Sequence, residues 1–158
     1  MQETIICGVD GSADSLQALR TAGALAERLG ARLVVAHVAH PTIHPRVGTA
    51  GGLGRMPVAA PVAEFEREAA EAIIDSVALE AGVKEAERRA LSGDPAENLA
   101  DLSDEEDAVL IVVGSRGRGA FKAAFLGSVS NSLIGIARCP VLVVPPGAVR
   151  PTGAFRAD

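Results

Sequence analysis

The sequence contains no tryptophan, no tyrosine and only four phenylalanines among its 158 residues. Proteins that bind single-stranded nucleic acid stack bases on aromatic side chains, so this composition argues against that function. Positive charge is also scarce, because 20 acidic residues against 15 basic ones give a formal net charge of −5. Binding to duplex nucleic acid or to an anionic membrane surface needs a positive field, and we therefore expect neither partner.

Cysteine and long apolar runs are scarce as well. The two cysteines, Cys7 and Cys139, lie in apolar, strand-like stretches, which indicates buried reduced thiols rather than a disulfide framework. No window approaches the ~18 apolar residues of a membrane span. The amino terminus also lacks the charged and apolar regions of an export signal. These absences predict a cytoplasmic protein without a membrane segment.

Short apolar runs alternate with segments of helical spacing along the whole chain. The candidate strands cover residues 4–9, 32–38, 85–91, 108–113 and 140–144. The gaps between them are long enough for crossover helices, which favours parallel pairing. The pattern therefore predicts an α/β fold, an open doubly wound five-stranded parallel sheet with helices on both faces.

The helical segments carry their own predictions about packing and domain bounds. A helix over residues 61–81 is expected to bury one stripe of side chains, namely Phe65, Ala69, Ala72, Ile73, Val77 and Ala81. We expect one domain over residues 1–146, interrupted by a long flexible loop rich in proline and glycine at 40–62. Residues 147–158 are expected to form a disordered tail.

The stretch VVGSRGRGAFKAAFLGSVS, residues 112–130, is rich in glycine and follows an apolar strand. Gly114 and Gly119 have the spacing of a P-loop, but Ala120 and Phe121 stand where that loop needs lysine and serine or threonine. A dinucleotide-binding fingerprint fails too, because Lys122 occupies the position of its third glycine. The stretch thus matches neither of these two phosphate-binding motifs.

The same stretch still has the chemistry of an anion site. Glycines let the backbone approach a ligand closely, and Gly127 precedes a helix whose first-turn N–H groups favour a phosphate. Arg116, Arg118 and Lys122 are expected to supply local positive charge in an otherwise acidic chain. The alternative is that the glycines only permit a tight crossing from strand to helix and that the basic residues are solvated.

The spacing G-x2-G-x9-G-S, between a strand VLIVVG and a last strand CPVLVV, occurs together with GVDGS near the amino terminus. In this combination the chain resembles the universal stress protein family from Ile5 to Pro145. The resemblance implies a sheet with strand order 3-2-1-4-5. Because the glycine motif is complete, it also implies an ATP binder acting as a nucleotide-dependent stress-response or signalling module.

The resemblance also implies which residues bind the nucleotide. Gly114, Gly117, Gly127 and Ser128 would line the phosphates and ribose. Asp10 would contact the ribose or a Mg²⁺ ion on the phosphates, where the alternative is a turn-forming aspartate. Gly8 and Val38 would meet the adenine, although Val38 also fits a core position. The remaining residues of the motif would form the intervening loop and extend the phosphate site: Ser115, Arg116, Arg118, Gly119, Val129 and Ser130.

Binding and turnover are separate questions for such a site. The sequence shows no P-loop lysine and no evident general base, so we expect nucleotide binding and at most weak ATPase activity. A slow ATP hydrolase and a nucleotide-independent dimerising partner module remain alternatives, as does AMP or cAMP in place of ATP. Aspartate at Gly114 or Gly127 is expected to abolish ATP binding without unfolding the protein.

An apolar last strand, Pro140 to Val144, would be an exposed edge in a monomer, and we expect a homodimer that pairs this strand. A metal site is not expected. His37, His40 and His44 lie close in sequence, but no cysteine or carboxylate nearby completes a tetrahedral set. The acidic run at residues 104–107 is interpreted as a solvated turn.

Overall fold

The computed structural model describes residues 2–40, 59–117 and 126–147, with residues 59–63 described by their backbone alone. Most of the predicted 40–62 loop and nearly all of the predicted 147–158 tail therefore lie outside the described residues. The described elements, in chain order, are β1 (Thr4–Gly8), α1 (Ala13–Leu29), β2 (Arg32–Ala39), α2 (Ala59–Ala81), β3 (Glu87–Ser92), α3 (Pro95–Glu105), β4 (Ala108–Gly114), α4 (Ser128–Ile136) and β5 (Val141–Val144).

The five strands form one parallel sheet in the order β3-β2-β1-β4-β5. The predicted α/β fold class and strand order are confirmed. The strand order reverses between β1 and β4, so the crossover connections diverge there and leave a crevice at the carboxyl ends of these two strands. Any ligand site of a sheet of this kind is expected at that crevice.

Two apolar clusters cover the two faces of the sheet. On one face, α1 and α2 pack through Leu19 and Ile74 onto Ile5 and Val112 of the central strands. On the other face, α3 and α4 pack through Leu102 and Leu133 onto neighbouring central residues. The central strands are covered on both sides, as expected for continuous apolar runs in a parallel sheet.

Capping residues account for where the first and third helices begin. Ser12 precedes α1, and its hydroxyl oxygen accepts a hydrogen bond from the Ser15 backbone N–H at 3.2 Å. Asp94 precedes α3, where its Oδ1 accepts from the Glu97 N–H at 3.0 Å. Gly30 ends α1 in the left-handed conformation, φ 63°, which glycine adopts without steric cost. These caps define where the helices begin and where α1 ends.

Helix α2 is rotated relative to the stripe that the sequence predicted. The buried side chains are Ala70, Ile74, Val77, Ala78 and Ala81. Phe65 is 71% exposed, and Ala69 and Ala72 are also exposed, so the first half of the predicted stripe was wrong. Because α2 carries alanine on most sides, spacing alone fits more than one rotation, and packing against α1 and the sheet selects the one that buries Ile74.

The amino ends of the strands are tied together by an ion-pair network. Glu106, at the end of α3, pairs with Arg32 on β2 and with Arg89 on β3. Arg32 also reaches Glu87 at 2.7 Å. The Glu106 side chain is only 13% exposed. The interpretation of residues 104–107 as a fully solvated turn was therefore wrong for Glu106, whose partners are distant in sequence.

This network predicts a loss of stability in acid. The hydrogen bond from Arg32 holds the pKa of Glu106 below its ordinary value. A carboxyl with a lowered folded-state pKa stabilises the fold above the unfolded pKa of about 4.3, and this contribution disappears as the pH falls through the folded pKa. At neutral pH, Glu106→Gln should lower the free energy of unfolding by about 1 kcal/mol.

Urea denaturation from neutral pH to about pH 3 measures this effect, and the difference between wild type and Glu106→Gln should shrink towards the acid end. Glu105→Gln is the matched control. Glu105 is adjacent in sequence to Glu106 but its side chain is exposed, so this substitution should change stability little. A constant difference across the whole pH range would show that the effect of Glu106→Gln does not depend on its charge.

Candidate functional site

A cavity of about 670 Å³ opens at the carboxyl ends of β1, β2 and β4, which is the crevice where the strand order reverses. This volume lies in the range of small-molecule pockets. Eleven of the residues that the sequence analysis assigned to a site line it: Gly8, Asp10, Val38, Gly114, Ser115, Arg116, Gly117, Gly127, Ser128, Val129 and Ser130. The other two, Arg118 and Gly119, lie outside the described residues, as does Lys122.

One end of the cavity, here called the glycine end, is formed by residues 114–117 and 127–130. The Gly127 N–H donates to the Ser115 carbonyl at 2.6 Å. The buried Ser130 hydroxyl lies within hydrogen-bond distance of that same carbonyl, at 3.2 Å, and of the Gly127 carbonyl, at 3.0 Å. The end of β4 and the start of α4 are therefore joined directly, although twelve positions separate Ser115 from Gly127 in sequence.

Helix α4 presents its amino terminus to the cavity without a side-chain cap. Its N-cap is Gly127, φ −71° and ψ 167°, which provides no side-chain hydrogen bond. The first backbone hydrogen bond back to Gly127 comes from Asn131, at 3.0 Å. First-turn N–H groups have no acceptor within their own helix, and the helix dipole makes this end positive. Ser128, Val129 and Ser130 thus supply backbone donors suited to an anion.

The glycines of this end are required for two different reasons. A Cβ on Gly117 would lie 2.6 Å from Asp10 Oδ2, so the absence of a side chain lets this backbone approach the carboxylate. A Cβ on Gly114 would lie 2.8 Å from the backbone carbonyl carbon of Asp14 in α1. Gly114 therefore permits close packing of β4 against α1, and it also lines the cavity.

Asp10 is oriented by the turn that follows β1. Its Oδ1 accepts a hydrogen bond from the Ser12 N–H at 2.9 Å. The turn-forming role considered for Asp10 is thus present, and the same carboxylate also lines the cavity beside Gly117. An acidic group in this position can accept hydrogen bonds from ligand hydroxyls or ligate a divalent cation.

The opposite end of the cavity, here called the apolar end, is lined by Ala36, Val38, Pro95 and Leu99. Gly8 packs tightly here, because a Cβ on it would lie 2.8 Å from Leu99 Cδ1. Sequence reasoning missed Pro95 and Leu99, which belong to α3 and reach the cavity only through the fold. The sequence Gly93-Asp94-Pro95 is typical of a turn at a helix start, but it does not indicate where the helix lies over the sheet.

Two histidines also line the cavity, although neither was assigned to it. The His37 Nδ1 lies 2.7 Å from the Val9 carbonyl and donates to it, which defines the ring tautomer. His40 follows at the end of β2. Within residues 2–40, 59–117 and 126–147, the structure contains no cluster of three or more metal-binding side chains. His44 lies outside the described residues.

Asp14 is a further residue that the sequence analysis did not assign to the site. The Ser115 hydroxyl donates to its Oδ2 at 3.0 Å, and Arg116 Nε lies 3.6 Å from the same oxygen. The contact of Asp14 with Ser115 spans 101 positions, so no local sequence signal indicates it. Arg116 thus lines the cavity while its Nε lies beside the carboxylate of Asp14.

Both cysteines are free, and Cys7 is buried in the middle of β1. Burial strongly raises the pKa of its thiol, so Cys7 is neutral and unreactive near neutral pH. None of the described helices is long and apolar enough to cross a membrane.

Comparison with known proteins gives consistent matches. The sequence profile of the universal stress protein family matches residues 1–145. A universal stress protein of Thermus aquaticus is 35% identical over 144 residues, which cover 91% of this chain and 99% of the relative. The crystal structure of a universal stress protein in complex with cAMP is 30% identical, with a TM-score of 0.59, and covers 90% of this chain and 95% of that one. The UspA protein of Lactobacillus plantarum shares the fold at 20% identity, with a TM-score of 0.70 and coverage of 90% and 97%.

Proposed function

Because the chain belongs to the universal stress protein family, we propose that it binds ATP in this cavity and acts as a nucleotide-dependent stress-response or signalling module. The observation that carries the proposal is the uncapped amino terminus of α4, which faces the cavity beside a glycine-rich loop. The complex of a 30% identical relative with cAMP supports an adenine nucleotide as the ligand class.

The two ends of the cavity suit the two ends of a nucleotide. The glycine end offers backbone N–H groups and the positive end of a helix dipole, which favour phosphates. The apolar end offers aliphatic side chains, including Val38 and Leu99, against which an adenine ring can pack. Asp10 would accept hydrogen bonds from the ribose hydroxyls or hold a Mg²⁺ ion carried by the phosphates.

The identity of the ligand is tested on the protein as it is purified. Denaturing fresh protein and analysing the released small molecules by mass spectrometry should yield ATP. Isothermal titration of nucleotide-free protein should then show binding of ATP. Release of cAMP or AMP alone would replace ATP with that nucleotide. Absence of any bound nucleotide, together with no heat on titration, would favour the partner module that works without a nucleotide.

Binding without efficient turnover is the second part of the proposal. A hydrolase needs a positioned water, a base and neutralisation of the leaving group. The sequence shows no P-loop lysine and no evident general base, so phosphate release from ATP should stay near the background rate. If it rises well above background and disappears in Asp10→Ala, the protein is an ATP hydrolase instead.

We also propose a homodimer that pairs β5 of two copies, since β5 has a hydrogen-bonded neighbour on one side only among the described strands. Ile134 and Ile136 of α4, next in sequence to this edge, are 56% and 47% exposed. Apolar side chains and a free strand edge together favour association with a second copy.

The backbone direction of β5 allows a specific test of this dimer. The Pro140 carbonyl accepts from Ile111 and the Val144 carbonyl accepts from Ser115, so by alternation the Val143 N–H points away from β4. Val143→Pro should remove an outward donor and convert the dimer to monomer at micromolar concentration in light scattering. Val143→Thr keeps the N–H and should remain dimeric. A wild-type protein that is monomeric under these conditions would contradict the proposal.

A further inference from the structure

Asp14 lies just behind the glycine end, in the first turn of α1, and does not itself line the cavity. Its carboxylate accepts a hydrogen bond from the Ser115 hydroxyl, at 3.0 Å, and Oδ2 lies 3.6 Å from Arg116 Nε. The side chains of Asp14 and Arg116 are 13% and 30% exposed. The pair is therefore partly desolvated, and its charges act on the cavity with less screening than surface charges do.

The Asp14 carboxylate adds negative charge beside Arg116 at the glycine end. Among the described residues that line the cavity, Arg116 carries the positive charge and Asp10 carries a negative one. The backbone donors of α4 favour an anion, whereas the Asp14 carboxylate beside Arg116 opposes a highly charged one.

We propose that Asp14 is a positioning residue that sets how strongly the site prefers ligands with more phosphate charge over ligands with less. This proposal rests on the proposed nucleotide site. Asp14 holds Arg116 through Nε, which leaves the terminal Nη groups of the guanidinium available to a phosphate. At the same time its own negative charge disfavours ligands in proportion to the charge that they bring. Asp14 thereby narrows the advantage of ATP over nucleotides with fewer charges, such as cAMP.

The two effects of Asp14 are separable. Orientation of Arg116 helps any ligand whose phosphates contact that side chain, and its loss should weaken ATP at least as much as cAMP because ATP brings more negative charge to the guanidinium. Repulsion by the carboxylate grows with ligand charge, and ATP carries several more negative charges than cAMP. Loss of the Arg116 orientation alone leaves the ratio of ATP affinity to cAMP affinity unchanged or lowers it, whereas loss of the repulsion raises it. A rise in this ratio therefore identifies the charge effect, which a purely structural role of Asp14 would not produce.

Asp14→Asn is the appropriate variant, because the asparagine amide oxygen can still accept the Ser115 hydroxyl while the charge is removed. Asp107→Asn is the matched control. It removes the same charge at the amino end of β4, opposite the cavity, and asparagine tolerates the positive φ of 47° at that position. Isothermal titration with ATP and with cAMP, without magnesium and at low ionic strength, gives the affinity ratio for each protein.

In Asp14→Asn the preference for ATP over cAMP should rise about threefold to tenfold relative to wild type. The increase should diminish as salt is added. In Asp107→Asn the preference should stay at the wild-type value. Equal changes for both nucleotides in Asp14→Asn would overturn the inference while leaving the nucleotide site intact. Failure of both nucleotides to bind wild type and Asp14→Asn alike would overturn the inference together with the proposed function.

Discussion

Gly127→Asp should weaken ATP binding by at least about 100-fold, which corresponds to ~2.7 kcal/mol, while the protein stays folded. Gly127 is the N-cap of α4, and its φ and ψ are those of extended backbone, which aspartate adopts readily. An added Cβ would lie 3.3 Å from Arg116 Cα and 3.3 Å from the Ser115 carbonyl oxygen, so the loop backbone must shift slightly while the fold is kept. Aspartate is a favourable N-cap whose carboxylate accepts the first-turn N–H groups. It would therefore occupy the donors proposed for the phosphates and repel the phosphate charge as well.

Two further substitutions isolate the effect of the charge. Gly127→Asn adds the same Cβ and caps α4 without a charge, so it should weaken ATP binding less than aspartate does, and the difference reports the charge. Gly135→Ala, on the same helix, adds its Cβ where no side-chain or loop atom of residues 2–40, 59–117 and 126–147 lies within 4 Å, and it should retain wild-type affinity. Calorimetric titration and thermal melts measure binding and folding for each. Wild-type affinity in Gly127→Asp would show that the phosphates do not bind at the start of α4.

Gly114→Ala should destabilise the whole fold, by about 1–3 kcal/mol, rather than act on the ligand alone. Its added Cβ would lie 2.8 Å from the Asp14 carbonyl carbon and 3.0 Å from the Asp14 carbonyl oxygen. These are backbone atoms of α1, so the helix must move away from β4 to accommodate the methyl group. The movement would also disturb the contact between Asp14 and Ser115.

Gly23→Ala provides the comparison, since its added Cβ would meet only the Val83 Cγ2 methyl, at 3.0 Å, and a side chain can adjust. Urea denaturation should therefore show a clearly larger loss for Gly114→Ala. Equal losses would mean that α1 shifts as easily as a valine side chain. Aspartate at Gly114 should likewise destabilise the fold as well as weaken binding, because a longer side chain there would displace α1 further.

The fold was largely predictable because each of its signals is local. Each strand is indicated by its own apolar run, and α1 by the caps at Ser12 and Gly30. The spacing between successive strands indicates crossover helices and therefore parallel pairing. Helix α2 shows where local signals fail. Phe65 and Ala69 fit a helical stripe as well as Ala70 and Ile74 do, and only contacts with α1 and the sheet decide which side is buried.

Some residues of the candidate site were predictable from local sequence signals, and others were not. The glycines and Asp10 were recognisable because they fall at strand ends and in a spaced motif. Leu99, Pro95 and Asp14 were not, since each reaches the cavity or its loop from another part of the chain. The packing role of Gly114 was equally hidden, because the spacing of a glycine does not indicate whether a ligand or a helix approaches it.

The shared acceptor at Ser115 changes what the nine-residue spacing of the motif means. The Gly127 N–H and the Ser130 hydroxyl both converge on this one carbonyl, so the two halves of the glycine end are registered by direct bonds. The position of Gly127 relative to Ser115 is then determined by these hydrogen bonds rather than by the number of residues that connect the two halves. A related chain with a longer or shorter connection can keep the same site, and a search that requires nine intervening residues would overlook it.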